Sequence, residues 1–204
     1  MRALESDENM NDKAFWAEKY RTTKGLRTVG FPHKSEAENA AEYAIGAKRF
    51  VEYLDADAPR DRRAAALEVG YGRGFYTQLL AKHGVKDYVG FDIAAPSGPP
   101  LGAGFSYRQG DAGVAFDLKR KFDIVMAIDI LFHITDEKRF ETALDNLRRH
   151  AKPGGVIFVT GRTAHERLAA HVIHRDLARY RQRLGVLIAV SPWRDTAFLR
   201  FRVQ

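Results

Sequence analysis

The sequence predicts an α/β fold: a doubly wound, mostly parallel sheet with helices on both faces and an antiparallel hairpin at its C-terminal end. Three observations carry this. Short β-rich runs alternate with helical patterns, a glycine-rich turn leads from the first run into a helix, and the last two runs follow one another across a tight turn with no helix between them.

In chain order, residues 11–20 and 35–54 read as helices with no strand to cross over from, so residues 1–63 are expected to form a helical extension or lid of the same domain, ahead of the α/β unit at 64–204. Strands are predicted at Ala65–Val69, Tyr88–Asp92, Phe105–Arg108, Phe122–Ile130 and Val156–Thr160, and Leu79, Leu80 and Val85 mark an apolar helix after the first. The Pro- and Gly-dense stretch Pro96–Gly104 argues for a loop in place of a full crossover helix. From about Asp136 to His150, Phe140, Ala143, Leu144 and Leu147 form one stripe, with Thr135 as the expected N-cap and Pro153-Gly154-Gly155 beyond the end. A helical pattern then runs through Leu168, Val172, Leu177, Tyr180 and Leu184. Val186–Ser191, the turn Pro192-Trp193-Arg194-Asp195, and Ala197–Val203 complete a terminal hairpin.

At 204 residues the chain has the length of one domain, and with 45% apolar and 29% charged residues it holds no apolar run long enough to span a bilayer. Its polar, acidic first residues do not resemble a secretory leader, so a cytoplasmic location is the expectation. With no cysteine, disulfides, thiolate metal sites and cysteine nucleophiles are excluded. The net charge of +7 is uneven: residues 138–204 hold 14 Lys/Arg against 5 Asp/Glu. That basic third suits an anionic acceptor, nucleic acid or an anionic surface, or is a set of solvated arginines on amphipathic helices.

The first strand ends in Leu67-Glu68-Val69-Gly70-Tyr71-Gly72-Arg73-Gly74, where glycines let the backbone approach a ligand and the following helix offers free N–H donors. A dinucleotide loop would require its third glycine at position 75, which is Phe, so NAD is disfavoured. Eighteen residues beyond Gly74, the second strand ends in Asp92-Ile93, placing a carboxylate beside the glycine loop where it can accept both hydroxyls of an adenosine ribose.

Over residues 64–161, with a weaker continuation to the end, the chain resembles the class I S-adenosylmethionine-dependent methyltransferases, whose fold is Rossmann-like. Five segments carry the likeness in order: the loop Leu67–Gly74, the strand Val89–Asp92, Gly110-Asp111-Ala112, the strand Phe122–Asp129, and the helix, turn and strand from Leu147 to Val159. The resemblance implies S-adenosyl-L-methionine as cofactor and residues 64–204 as the domain that binds it. It implies Gly70, Gly72 and Gly74 along the methionine part, Asp92 on the ribose with Ile93 next to it, Asp111 and the Ala112 backbone at the adenine, and Glu68 ordering the loop. Tyr71 and Arg73 depart from the family's usual small and hydroxyl residues; Arg73 either pairs with the cofactor carboxylate or is solvated.

After the fourth strand comes Asp129-Ile130-Leu131-Phe132-His133, outside the strand C-termini where such sheets bind ligands. His133 is the candidate general base or acceptor contact, or else a structural histidine; Asp129 orients it or contacts the cofactor. No metal is expected, because Asp129 and Asp136 are separated by a loop that would have to fold back for them to share an ion, and His165, His171 and His174 read as solvated. In the N-terminal extension, Trp16, Tyr20 and Arg21 are candidates to close over cofactor and acceptor, against a plain packing role for Phe15 and Trp16. Taken together these readings favour oxygen methylation of a small polar acceptor, such as a sugar or glycan unit. An RNA methyltransferase using the basic third is the alternative, and a cofactor-binding domain without catalysis a third.

Overall fold

The computed structural model describes residues 12–31, 33–58, 64–96, 101–169 and 171–204. Its elements, in chain order, are α1 (Asp12–Thr22), a 3-10 turn (Gly25–Thr28), α2 (Glu36–Asp57), β1 (Ala65–Val69), α3 (Phe75–Lys82), β2 (Asp87–Asp92), β3 (Phe105–Gln109) and β4 (Phe122–Ala127). A second 3-10 turn (Leu131–His133), α4 (Glu137–His150), β5 (Ala151–Gly161), β6 (Glu166–Ala169), β7 (Val172–His174), α5 (Leu177–Leu184), β8 (Val186–Trp193) and β9 (Thr196–Arg202) complete the chain.

Seven strands form one sheet in the order β3-β2-β1-β4-β5-β9-β8; the first five are parallel, and β9 and β8 run antiparallel. Every residue of β1 is buried, because both faces of the sheet are covered. On one face Leu67, Val125, Ile157 and Phe201 pack against Phe140, Leu144 and Leu147 of α4 and Tyr180 and Leu184 of α5. On the other, Ala66, Ile124, Phe158 and Phe198 meet Tyr43, Phe50 and Leu54 of α2 and Tyr76 and Leu80 of α3. Helix α2 starts on a capping box, in which Ser35 Oγ accepts from the Glu38 N–H and the Glu38 carboxylate from the Ser35 N–H. The strand order reverses between β1 and β4, and a crevice opens there at their C-terminal ends.

Three local expectations are corrected. The N-cap of α4 is Asp136, whose carboxylate accepts from the Arg139 N–H at 2.8 Å, while the Thr135 carbonyl is taken by Arg175 Nη2. The expected helix through Leu168 and Val172 is instead the hairpin β6–β7, and α5 begins only after its cap Asp176. Arg175, 1% exposed, pins that hairpin to the start of α4 through the Ile173 and Thr135 carbonyls and Glu137. Leu168 is 44% exposed, so its helical spacing from Leu177 marked no core stripe. The predicted fourth strand ends early, at Ala127, because Asp129 takes a left-handed conformation (φ 57°) that turns the chain away.

Of the Pro96–Gly104 loop, residues 97–100 lie outside the described residues, as do the first eleven residues; no helix lies between β2 and β3 among the residues described. The arginines of the C-terminal third are largely engaged. Arg179 reaches Glu137 and Glu141, Arg183 reaches Glu141 and Asp145, and Arg162, Arg175, Arg194 and Arg200 each have a carboxylate partner.

Candidate active site

The glycine loop is shaped by three left-handed residues, Gly70 (φ 76°), Gly72 (φ 56°) and Gly74 (φ 75°). At Gly70 a Cβ would lie 2.0 Å from Ile130 Cδ1, and at Gly72 it would lie 3.0 Å from Val29 Cγ1, so side chains are excluded where the loop faces its neighbours. The Gly70 N–H donates to the Phe91 carbonyl at 2.6 Å and the Gly72 N–H to Asp92 Oδ2 at 2.9 Å, which locks the loop to the end of β2. Asp92 Oδ1 accepts from the Ala94 N–H at 2.8 Å. Burial raises the Asp92 pKa and these N–H donors oppose the rise. Each carboxylate oxygen keeps a lone pair for a ligand hydroxyl.

Tyr71 fits because its neighbour on β2 is Gly90, where a Cβ would meet the Tyr71 and Tyr107 rings at 2.8 and 2.7 Å. Arg73 is not a solvated side chain: its Nη2 donates to the Tyr20 and Thr23 carbonyls and its guanidinium lies over the Tyr20 ring, tying α1 to the loop. Glu68, 3% exposed, accepts from Tyr88 Oη at 2.6 Å and Thr77 Oγ1 at 2.7 Å, and so fastens α3 to β2 behind the loop. Burial pushes its pKa up to about 8. Between the ordinary value of 4.5 and about 8, the folded protein therefore holds a proton that the unfolded chain releases, and stability falls as pH rises through that window. Glu68→Gln keeps an acceptor for Tyr88 and Thr77, so it should melt at or below wild type at pH 5 and gain on it by pH 8. Parallel Tm–pH curves would show that Glu68 is ionised in the folded protein.

The crevice is lined by the glycine loop, Glu68, Asp92, Ile93, Asp111, Ala112, Asp129, His133, and Trp16 and Tyr20 from α1. Asp111 reaches it already engaged, with Oδ1 accepting from the Gly113 N–H and Oδ2 paired with Arg139 at 2.6 Å. The Ala112 carbonyl accepts from Asn146 Nδ2 at 2.9 Å. Arg21 does not line the crevice: it lies on the outer side of α1, its side chain 72% exposed and paired with Glu18.

Asp129 and His133 follow β4. Thr160 Oγ1 accepts from the Asp129 N–H at 2.7 Å and donates to Oδ1 at 3.0 Å, while Oδ2 pairs with Arg194 at 3.1 Å. Burial raises the Asp129 pKa against the pull of Arg194 and Thr160. Arg194 was not singled out from sequence. It sits at the β8–β9 turn with φ 50°, and nothing about an Arg in a tight turn announces that its side chain reaches across to β4.

The His133 ring is edge-on to Trp16 (5.2 Å between centroids) and parallel to His171 (5.8 Å). Its Nδ1 lies 3.1 Å from the His171 carbonyl, which can only accept, so Nδ1 carries the proton and Nε2 is left as the acceptor. Enclosure lowers the His133 pKa well below the usual histidine range, and the ring is neutral at physiological pH. His165 is exposed, but His174 is 2% exposed and His171 packs on Phe15 and His133, so two of the three histidines expected to be solvated are built into this region. No cluster of three or more potential His, Cys, Asp or Glu metal ligands occurs among the described residues.

A family model described as a methyltransferase domain matches residues 37–188. The chain belongs to this methyltransferase family. Its fold is that of the class I S-adenosylmethionine-dependent enzymes, and S-adenosylmethionine is its cofactor. Among curated proteins it is similar to a ubiquinone biosynthesis O-methyltransferase of Azorhizobium caulinodans, 30% identical over 101 residues, 46% of this chain and 38% of the relative. The match thus spans well under half of that relative. Among solved structures it is similar to the N-methyltransferase NodS of Bradyrhizobium japonicum in complex with S-adenosylhomocysteine (TM-score 0.66, 19% identity, 95% of this chain and 99% of that one). It is also similar to CalS10, an amino pentose methyltransferase of Micromonospora echinaspora (TM-score 0.62, 16% identity, 84% and 98%).

The crevice fits that cofactor on its own chemistry: a loop with glycine at 70, 72 and 74, a buried carboxylate with lone pairs to spare for ribose hydroxyls, and apolar walls at Ile93, Ile130 and Ile134 for a purine.

Proposed function

We propose that this methyltransferase acts on a hydroxyl oxygen of a small polar acceptor, such as a sugar or glycan unit, that enters beside His133. The observation that carries this reading is the fixed tautomer of His133: Nδ1 is committed to the His171 carbonyl, which leaves Nε2 as the acceptor of a ring that lines the cofactor crevice. Bound there, S-adenosylmethionine supplies an electrophilic methyl group on a sulfonium. The chain's part is to hold the cofactor at Gly70–Gly74 and Asp92, and to keep water out with Trp16 and Tyr20. It also holds the acceptor oxygen in line, with Nε2 accepting the hydroxyl's hydrogen bond and taking its proton only as the sulfonium C–S bond breaks and the C–O bond forms, when the oxygen has become acidic enough to protonate a ring of lowered pKa.

Methylation of an amine is the second reading, favoured by the activity named for NodS. RNA is disfavoured, since the arginines that made the C-terminal third basic are largely paired with carboxylates.

The test is label transfer from methyl-labelled cofactor to matched sugars that differ only in a hydroxyl or an amine, followed by mass analysis of the product. Label on the hydroxyl sugar supports oxygen transfer; label confined to the amine partner overturns it in favour of the second reading. The same assay with excess EDTA should show undiminished turnover, because Asp129 is engaged by Thr160 and Arg194, and Asp136 caps α4. Loss of turnover restored by Mg²⁺ would show that acidic side chains here bind metal.

A further inference from the structure

A second cavity opens off the cofactor crevice and shares Val29, Asp129 and His133 with it. Its other walls come from four separate pieces of chain: Phe31 ahead of α2, Phe132 after β4, Leu168 and Val172 on the β6–β7 hairpin, and Arg194 and Asp195 at the β8–β9 turn.

The charged side chains at this cavity have ion-pair partners, but Arg194 Nη2 and His174 Nδ1 are buried without a hydrogen-bond partner. Asp129 is held by Thr160 and Arg194, Arg194 is further covered by the Phe31 and Tyr43 rings, and Asp195 pairs with Arg162 at 3.0 Å. His174 packs on Phe132, and burial, with Arg162 nearby, lowers its pKa. Away from these groups, the wall at Phe31, Phe132, Leu168 and Val172 is apolar. Leu168, on the hairpin that forms one side, is 44% exposed and has apolar surface to cover.

We propose that this cavity binds an amphiphilic acceptor. Its hydroxyl-bearing head sits at Asp129 and His133, and an aryl or alkyl arm lies along Phe31, Phe132, Leu168 and Val172. This rests on the reading that the acceptor enters beside His133, and it narrows the acceptor class from any small polar molecule to one with an apolar arm. The hairpin is then the part of the chain that selects for the arm, and Leu168 and Val172 are its specificity-determining residues.

The test is calorimetric titration of the full chain, loaded with S-adenosylhomocysteine so that no turnover occurs, with 4-alkylphenols from methyl to butyl. Affinity should rise about fourfold for each methylene the cavity buries. Leu168→Asp should flatten the series and leave the affinity for S-adenosylhomocysteine unchanged. Val186→Asp, an equally exposed apolar position on β8 away from the cavity, should keep the series intact. Affinity independent of chain length, no binding of butylphenol, or equal effects of the two variants would overturn the proposal. A rising series in a protein that methylates no hydroxyl sinks the oxygen-transfer reading alone; a flat series in one that methylates short sugars sinks this inference alone.

Discussion

Replacing His133 with alanine is expected to lower kcat by roughly 10²–10⁴, the usual span for loss of a positioned proton acceptor. The variant removes the Nε2 acceptor and the ring against which Trp16 and His171 pack, while the cofactor contacts at Gly70–Gly74 and Asp92 remain. Affinity for S-adenosylhomocysteine should therefore hardly change. His133→Gln separates two roles, since an amide can hold a hydroxyl but cannot take its proton at neutral pH. Failure of both variants assigns proton acceptance, failure of alanine alone assigns positioning, and near-wild-type turnover in both would reduce His133 to structure. The pH profile adds a check. Enclosure lowers the His133 pKa, so the ring stays neutral as pH falls through the ordinary histidine range, and kcat should show no acid limb near 6.5 that disappears in His133→Gln.

The parts of this account that were legible in the sequence are those where one local rule dominates. Ala65–Val69 is an uninterrupted β-rich run ended by glycine, and it is a strand with those bounds. The α4 stripe of Phe140, Ala143, Leu144 and Leu147 is buried as its spacing requires. Asp92 could be placed beside the glycine loop because one crossover helix returns the chain to a strand parallel to β1, so both strands end at the same edge of the sheet. What escaped depends on contacts distant in sequence. The segment around Leu168 and Val172 has helical spacing, yet Arg175 binding to Glu137 and Thr135, some forty residues earlier, holds it as a hairpin. The pair between Asp129 and Arg194 joins two left-handed non-glycine residues, 65 positions apart, and neither backbone state has a residue signature. Arg21 shares the basic and aromatic opening with Trp16 and Tyr20, but helical geometry sends it to the outer face of α1 beside Glu18, three residues before it.

The second large effect is expected at Asp92. Its carboxylate would lose two kinds of partner in Asp92→Ala: the ligand's ribose hydroxyls, and the Gly72 and Ala94 N–H groups that hold the loop in shape. Hydrogen bonds to a charged group are worth about 1.5–3 kcal/mol each, so losing two to the ligand predicts a fall in affinity of roughly 10²–10⁴. Asp92→Asn keeps an acceptor oxygen without the charge and should fall between the two. If the crevice between the glycine loop and the end of β2 holds the adenosyl cofactor, changes at Asp92 must weaken binding there. Calorimetric titration of wild type, Asp92→Asn and Asp92→Ala with S-adenosylhomocysteine tests it most directly. The predicted result is one site per chain with affinity falling in that order; unchanged affinity in a folded Asp92→Ala protein would contradict it.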